Sequence, residues 1–539
     1  MLNSFKKFFL FLIFISITSF IFGYSYKIDS VSFDISGLTK ESAMKNEIEI
    51  DTIKVFEDEE SLLRYTEELK QRIINTRKFE EVEITYSENE FHDDDFTGIS
   101  GVTLTVHTED SFHLLILPYP LFSTSKGLSL KVKMKDTNFL GTLNTLDASL
   151  DFKLKPDSNG NQFRQFEPQL NFSYDFPFSF KGLDFIWTNS HSISYTWGES
   201  SPEWSFETGL TWIYPVKNID FIVAFTQGFV RDLDYRSTDD HTYLSENLNF
   251  STPLDIYQIP HHETIKFNPY VNFNLKFDPF KSNGYMGFKD NSLKGPALST
   301  GGSFEYNEVN WNGNFRNGIS VSVGPSISYN FASIKNSEIS KFNLGLSMNL
   351  SAFKSYENIG FNARVWAFIY LTNSNIFQGS AQVDSYLRGI VDGRTSSHNS
   401  AKNQSETPVA LVFNFDMPVH ILTTEWENYK LTRKIKFMRY LNFELQMSPF
   451  VDIALIKTTK ETHGEERLFD LRDGFYTAGL ELLVFPQKWK GIEIRASVGF
   501  DVGNLLYGSL LNKEWRNKRD EGKMWLKTPE ISIGLGLHY

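Results

Sequence analysis

The feature that most constrains this chain is a two-residue alternation that runs further than soluble strands usually do. From Ile265 to Phe277 the odd positions Ile265, Phe267, Val271, Phe273, Leu275 and Phe277 are apolar, with Lys266, Asn268, Asn272, Asn274 and Lys276 between them. Ile319 to Phe331 repeats the pattern around Ser320, Ser322, Ser326 and Ser328, and Phe342 to Ala352 repeats it around Asn343, Ser347 and Asn349. Side chains alternate across a strand, so each segment has one apolar and one polar face. Strands of globular proteins hold about 5 to 6 residues, whereas a tilted strand needs roughly 9 to 11 to cross a bilayer. The lengths predict a transmembrane β-barrel, apolar towards lipid and polar towards its lumen.

Nothing after Phe22 is apolar for long enough to span as a helix. A mean hydropathy of −0.29 would suit a soluble protein, but alternation averages the two faces of a barrel to such a value. Aromatic residues make up 15% of the chain, which suits lipid-facing surfaces and interfacial girdles. A general bias towards Phe, Ile, Asn and Lys would give the same excess. The last strand is expected to put Ile531, Ile533, Leu535, Leu537 and Tyr539 on one face, against Ser532, Gly534, Gly536 and His538. A barrel closes by pairing its last strand with its first, which leaves no unsatisfied edge in lipid.

Lys6 and Lys7 precede an apolar run from Phe8 to Phe22, and Gly23-Tyr24-Ser25 follows it. Residues 1–25 are expected to be a signal peptide, with the mature chain starting near Tyr26. Residues 26–110 mix periods. Tyr26 to Ile35 alternates and ends at Gly37, while Glu59 to Thr76 lines up Leu62, Thr66, Leu69 and Ile73 on a helical stripe. Phe79 to Tyr86 and Val102 to Val106 alternate again, so a small α+β domain is expected. Residues 111–539 are almost wholly period-two and are expected to form the barrel.

The chain has no cysteine, which excludes disulfides, thiolate metal sites and a lipid-modified N-terminal Cys. A net charge of −13 without a basic cluster argues against a nucleic-acid partner. No G-x-S-x-G, H-E-x-x-H or phosphate loop occurs, so no catalytic, cofactor-binding or metal-ligating residue is assigned and the chain is not expected to be an enzyme. His261-His262-Glu263 reads as a polar turn, and Asp93-Asp94-Asp95 lacks the spaced oxygens of a calcium loop.

Three places resemble the BamA/TamA outer-membrane assembly superfamily, also called the bacterial surface antigen family. Tyr26 to Glu109 is similar to one POTRA domain, with Asn75 to Ile84 at its helix-to-strand junction. Leu117-Pro118-Tyr119-Pro120 and Lys135 to Thr142 resemble the start of the barrel and its first turn. Tyr386-Leu387-Arg388-Gly389-Ile390 stands where the family has Val/Ile-Arg-Gly-Phe/Tyr, on a long extracellular loop folded into the lumen. Phe450-Val451-Asp452 is similar to the signature of a later strand, and the resemblance implies that Arg388 pairs with Asp452. An exposed loop arginine with no tie to Asp452 is the plainer alternative. Leu387 and Ile390 depart from the usual flanks, Ala454 stands where glycine is common, and Asn414 where an acid often precedes Pro418. The resemblance further implies sixteen strands in all. Five strands can be drawn after Arg388, as the family has, and about twelve before it, against eleven.

What the resemblance implies is an outer-membrane protein assembly or insertion factor, its N-terminal domain in the periplasm. Its partners would be outer-membrane lipid, unfolded outer-membrane protein clients, and periplasmic or lipoprotein partners. Clients would add strands by main-chain hydrogen bonds. The seam between a first strand at Gly127 to Asp136 and a last strand at Glu530 to Tyr539 would template them, weakened by Gly534 and Gly536. A two-partner-type secretion pore is the competing expectation, disfavoured because it predicts two periplasmic modules and a plug helix. A divergent surface antigen or porin-like barrel without insertase activity is the third.

Overall fold

In a computed structural model of the chain the described residues are 25–48, 50–89, 99–123, 127–156, 163–217, 219–233, 241–260, 262–277, 296–334, 337, 340–372, 381–388, 406–458, 466–471, 474–502 and 530–537. Residues 1–24 of the expected signal peptide, the Asp93–Asp95 turn, His261, Gly389, Ile390, His538 and Tyr539 lie outside them. Two compact units divide the chain, one reaching Ser111 and including Leu140–Leu143, the other holding the rest.

In the first unit the elements run β1 (Ser25–Ser36), α1 (Glu41–Glu47), β2 (Val55–Phe56), α2 (Glu59–Asn75), β3 (Phe79–Glu88) and β4 (Ile99–Asp110). The sheet order is β2-β1-β4-β3. β1 runs parallel to β4, and the other pairs are antiparallel. α2 begins at a capping box in which Asp58 accepts from the Ser61 N–H at 2.8 Å and the Ser61 hydroxyl accepts from the Asp58 N–H at 3.3 Å. Its buried stripe is Leu62, Tyr65, Thr66, Leu69 and Ile73, in one core with Ile28, Val102, Leu104 and Val106. α1 carries no signal legible in the sequence, because seven residues are too few to set a helical period.

The second unit is dominated by one large antiparallel sheet of twenty hydrogen-bonded segments, from Leu114–Ser123 to Glu530–Leu535. Thr242–Ser251 and Leu254–Gln258 both pair with Thr264–Phe277, and Val409–Asp416 and Val419–Thr423 both pair with Phe443–Ile456. Each couple is one interrupted pass, so twenty segments less two gives eighteen passes among the described residues. The sixteen implied by the resemblance is corrected accordingly: the five passes after Arg388 are present, but thirteen precede it. Strand order places the last segment beside the first, and the sheet comes round on itself.

The first strand is also corrected. It is Leu114–Ser123, and Gly127–Asp136 is the second. Pro118 and Pro120 mask it in the sequence, because proline is excluded from central strands and tolerated where a neighbour does not need the missing N–H.

Connections differ at the two rims. Phe163–Phe180 turns into Leu183–Ser194 through Lys181 and Gly182 alone, with φ of 53° and 76°. Two central residues at positive φ make the tight turn that suits twisted hairpins. At the opposite rim Ile359–Thr372 ends and Val409–Asp416 begins, and of the chain between them residues 381–388 and 406–408 are described. The polar face is the inner one: at the short-turn rim Asn314 Nδ2 donates to Glu444 Oε2 at 2.8 Å, and Gln446 Nε2 donates to the Asn314 carbonyl at 3.2 Å, which spans the ring from strands far apart in its order.

Candidate functional site

The long loop after Ile359–Thr372 returns to the lumen at Val383–Tyr386, and Arg388 follows. Tyr386 lies flat on Trp366, with ring centroids 3.8 Å apart and planes at 18°. Leu387 is buried among Phe368, Val412, Ala454, Ile456 and Phe475. The apolar floor under Leu387 thus comes from strands on both sides of the loop. Ala454, 0% exposed, is part of that floor, which a glycine would leave thinner.

Arg388 is 6% exposed and Asp452 is 0% exposed. The Arg388 backbone N–H and Nε both donate to Asp452 Oδ2, at 2.8 and 3.1 Å, and Nη2 donates to Oδ1 at 2.8 Å. This is a forked guanidinium–carboxylate pair with one main-chain bond added. Behind it, Arg388 Nη2 lies 3.6 Å from Asp416 Oδ1 and Nη1 lies 3.6 Å from Glu481 Oε2. The Phe450 ring centroid is 3.9 Å from the guanidinium carbon. Burial opposes the charge of Arg388, but Asp452, then Asp416 and Glu481, outweigh it and raise its pKa above the usual guanidinium value.

The structure therefore brings Arg388 and Asp452 together, and it adds residues that sequence reasoning missed. Asn414 Nδ2 donates both to Asp452 Oδ1 at 2.9 Å and to the Tyr386 carbonyl at 2.7 Å. Arg364 Nε and Nη2 donate to Asn414 Oδ1 at 3.0 and 2.7 Å. Arg495 Nη1 is 3.9 Å from Glu481 Oε1. Arg364, Arg388 and Arg495 thus face Asp416, Asp452 and Glu481, and the cluster balances its charge. The signal was available: these are charged residues at lumen-facing positions of strands whose other polar positions hold mostly Ser, Thr and Asn. The acid that Asn414 lacks is supplied by Asp416, two residues on and so on the same face. Its chemistry is that of a lock, since the Arg388 backbone N–H, Nε and Nη2 and the Asn414 amide are all engaged in holding a loop tip.

At the ring's junction the first strand is short of donors. Thr137 N–H donates to the His113 carbonyl at 2.9 Å in the same register as Leu114 opposite Asp136. Hydrogen-bonded and non-bonded pairs alternate along an antiparallel ladder. The backbone of Leu114, Ile116, Pro118, Pro120 and Phe122 therefore turns away from the second strand, towards the junction, and two of those five residues have no N–H. The Leu114 carbonyl accepts from Trp489 Nε1 at 3.0 Å, and the Phe112 N–H donates to the Lys488 carbonyl at 2.9 Å. Ile531, Ile533 and Leu535 continue the outward apolar row as expected, opposite Val498, Ala496 and Ile494. Leu537 does not, and this corrects its expected face. Gly536 takes a φ of 83° and ends the alternation, and Leu537 lines a lumenal cavity with Phe315, Pro418 and Phe485.

Among the described residues no group of three His, Asp or Glu is placed to hold a metal ion. His262 Nδ1 lies 2.9 Å from Glu308 Oε2, a polar contact at a short turn.

No protein-family model matches the chain, and no curated protein matches it. Among solved structures, CdiB from Acinetobacter baumannii covers 94% of this chain and 73% of its own at 9% identity, with a TM-score of 0.46. BamA from Haemophilus ducreyi lacking POTRA domains 1-3 covers 95% of this chain and 84% of its own at 14% identity and a TM-score of 0.35. CdiB from Escherichia coli covers 95% and 91% at 8% identity and a TM-score of 0.36. These are loose superpositions, and within them the chain is similar to the BamA and CdiB outer-membrane β-barrel proteins.

Proposed function

We propose that this chain is an outer-membrane β-barrel with a POTRA-like periplasmic domain, and that it assembles or inserts other outer-membrane proteins at the junction of its first and last strands. The observation that carries the reading is the forked pair between Arg388 and Asp452. It falls on the loop motif by which the sequence resembles the assembly superfamily, and a buried ion pair, which adds little net stability, is best accounted for by the particular arrangement it fixes. The two donors that Pro118 and Pro120 withhold at the junction support the same reading, because a client strand has fewer bonds to displace there.

A two-partner-type secretion pore is the second reading. Pro118 and Pro120 favour it, since a client strand pairing with the first strand would also miss those two donors. Templating on the Glu530–Leu535 edge avoids this difficulty. Depletion of the protein separates the two. A joint fall of several unrelated outer-membrane barrel proteins supports assembly, whereas loss of a single secreted substrate, with barrel content unchanged, replaces it with the pore.

A further inference from the structure

A polar row crosses the apolar outer face of four neighbouring strands. Register puts Asn189 opposite Thr208, Thr208 opposite Gln227, and Gln227 opposite Glu246. One step towards the short-turn rim the same strands present Trp187, Leu210, Phe225 and Leu248, and one step towards the long-loop rim His191, Phe206, Phe229 and Leu244. The row is bonded within itself. Trp187 Nε1 donates to Thr208 Oγ1 at 2.8 Å, Thr208 Oγ1 to Asn189 Oδ1 at 3.2 Å, and Gln227 Nε2 to Glu246 Oε1 at 2.6 Å. Glu246 Oε2 is buried beneath the row with no hydrogen-bond partner among the described residues, while Thr208 and Gln227 are exposed. Elsewhere the wall is different: Ile319, Val321, Val323, Leu346, Met348 and Leu350 face outward with no polar side chain between them. A wall that met only acyl chains would gain nothing from four polar groups at one level.

A second observation stands nearer the long-loop rim. Arg231 shares this outward face, opposite Trp204, with its guanidinium 5.3 Å from the indole ring centroid. Nη2 donates to Ser201 Oγ at 2.6 Å, while Nε has no hydrogen-bond partner among the described residues. Four residues separate Arg231 from Gln227, about 13 Å along a strand. One molecule lying on this face would meet a cation, then an apolar step, then amide, hydroxyl and carboxylate groups.

We propose that this face docks a lipid that joins an anionic headgroup to amide or hydroxyl groups at the base of its acyl chains, as an acidic N-acylated glycolipid does. The inference rests on the membrane-spanning reading and is independent of the assembly reading. A phosphodiester lipid with ester-linked chains could satisfy Arg231 but has no donor at chain level for the exposed Thr208 and Gln227. A polypeptide strand would need a free sheet edge, and these strands are paired on both sides.

The test uses the full chain in phosphatidylcholine nanodiscs containing equal amounts of lipid A and phosphatidylglycerol. Insertion is read from heat-dependent gel mobility, and retained lipid is counted by native mass spectrometry. Wild type should hold lipid A over phosphatidylglycerol by about tenfold. A Thr208→Val, Gln227→Leu, Glu246→Leu variant should insert as well and lose that preference, and Arg231→Gln should retain less of both anionic lipids. Equal retention of the two lipids by inserted wild type, an unchanged preference in the triple variant, or a dimer bridged through this face overturns the proposal. Failure of wild type to insert overturns the membrane reading with it.

Discussion

Two stretches of one sheet share the same alternating sequence logic and end in different lumens. Along Leu183–Ser194, Glu203–Val216 and Ile219–Arg231 the inward residues Asp184, Ser190, Glu207 and Asp220 are exposed. Along Phe443–Ile456 and Phe475–Pro486 the inward residues Gln446, Ser448, Asp452, Thr477 and Glu481 are buried, none above 3% exposure. The difference is the loop tip at Tyr386–Arg388, which meets Asp452 and Glu481 and supplies their charge partner, together with the Asn314 turn, which meets Gln446. A polar inner face can therefore line water or serve as the core of a lock, and the deciding element lies outside the strands.

The comparison can be broken most severely at Asp452. Asp452→Ala removes the forked partner of Arg388 and its three hydrogen bonds, leaving only the longer contacts to Asp416 and Glu481, and should cost roughly 3 to 5 kcal/mol, read as a lower temperature of the gel-mobility shift. Leu387→Ala removes buried apolar volume from the same lock and should cost about 2 to 3 kcal/mol by that measurement. Asn414→Ala strands the Tyr386 carbonyl and should cost about 1 to 2 kcal/mol, accompanied by faster proteolysis of the loop. Glu207→Gln, on the open stretch, should change stability by no more than about 0.5 kcal/mol. A loss at Glu207 as large as that at Asp452 would erase the distinction between the two stretches.

The smallest effect lies outside the sheet, at the start of α2. The Ser61 N–H and hydroxyl hold the Asp58 carboxyl below its ordinary value of 3.8. A lowered folded-state pKa means that the cap's contribution is complete above 3.8 and is lost as pH falls through the lower folded value. Amide exchange at Ser61 to Leu63 should quicken only in that acid range, and Asp58→Ala should remove the pH dependence.

Much of this was legible in the residues. Alternation over Ile265 to Phe277 and Phe342 to Ala352 marks long strands with one lipid-suited face because the side-chain period of a strand is fixed by covalent geometry. The stripe of Leu62, Leu69 and Ile73 does the same for α2. Leu114–Ser123 was hidden because its two prolines argue against a strand unless the neighbouring edge is known. Arg364, Asp416, Glu481 and Arg495 stand out as charges on polar strand faces, but their partners were hidden because they meet Arg388 or one another only after strands distant in sequence are brought round the ring.

The sequence by itself determined the alternating faces and the mixed N-terminal unit, which follow from local period, whereas the pairing of Arg388 with Asp452 was only implied by a family resemblance and was decided by the structure. Only the tertiary structure decided the number of passes, the strand that meets the carboxyl-terminal one, and which polar positions are buried. Those depend on register and on which long-range neighbour fills a given space, and a two-residue period is identical whether the polar face looks onto water or onto Arg388.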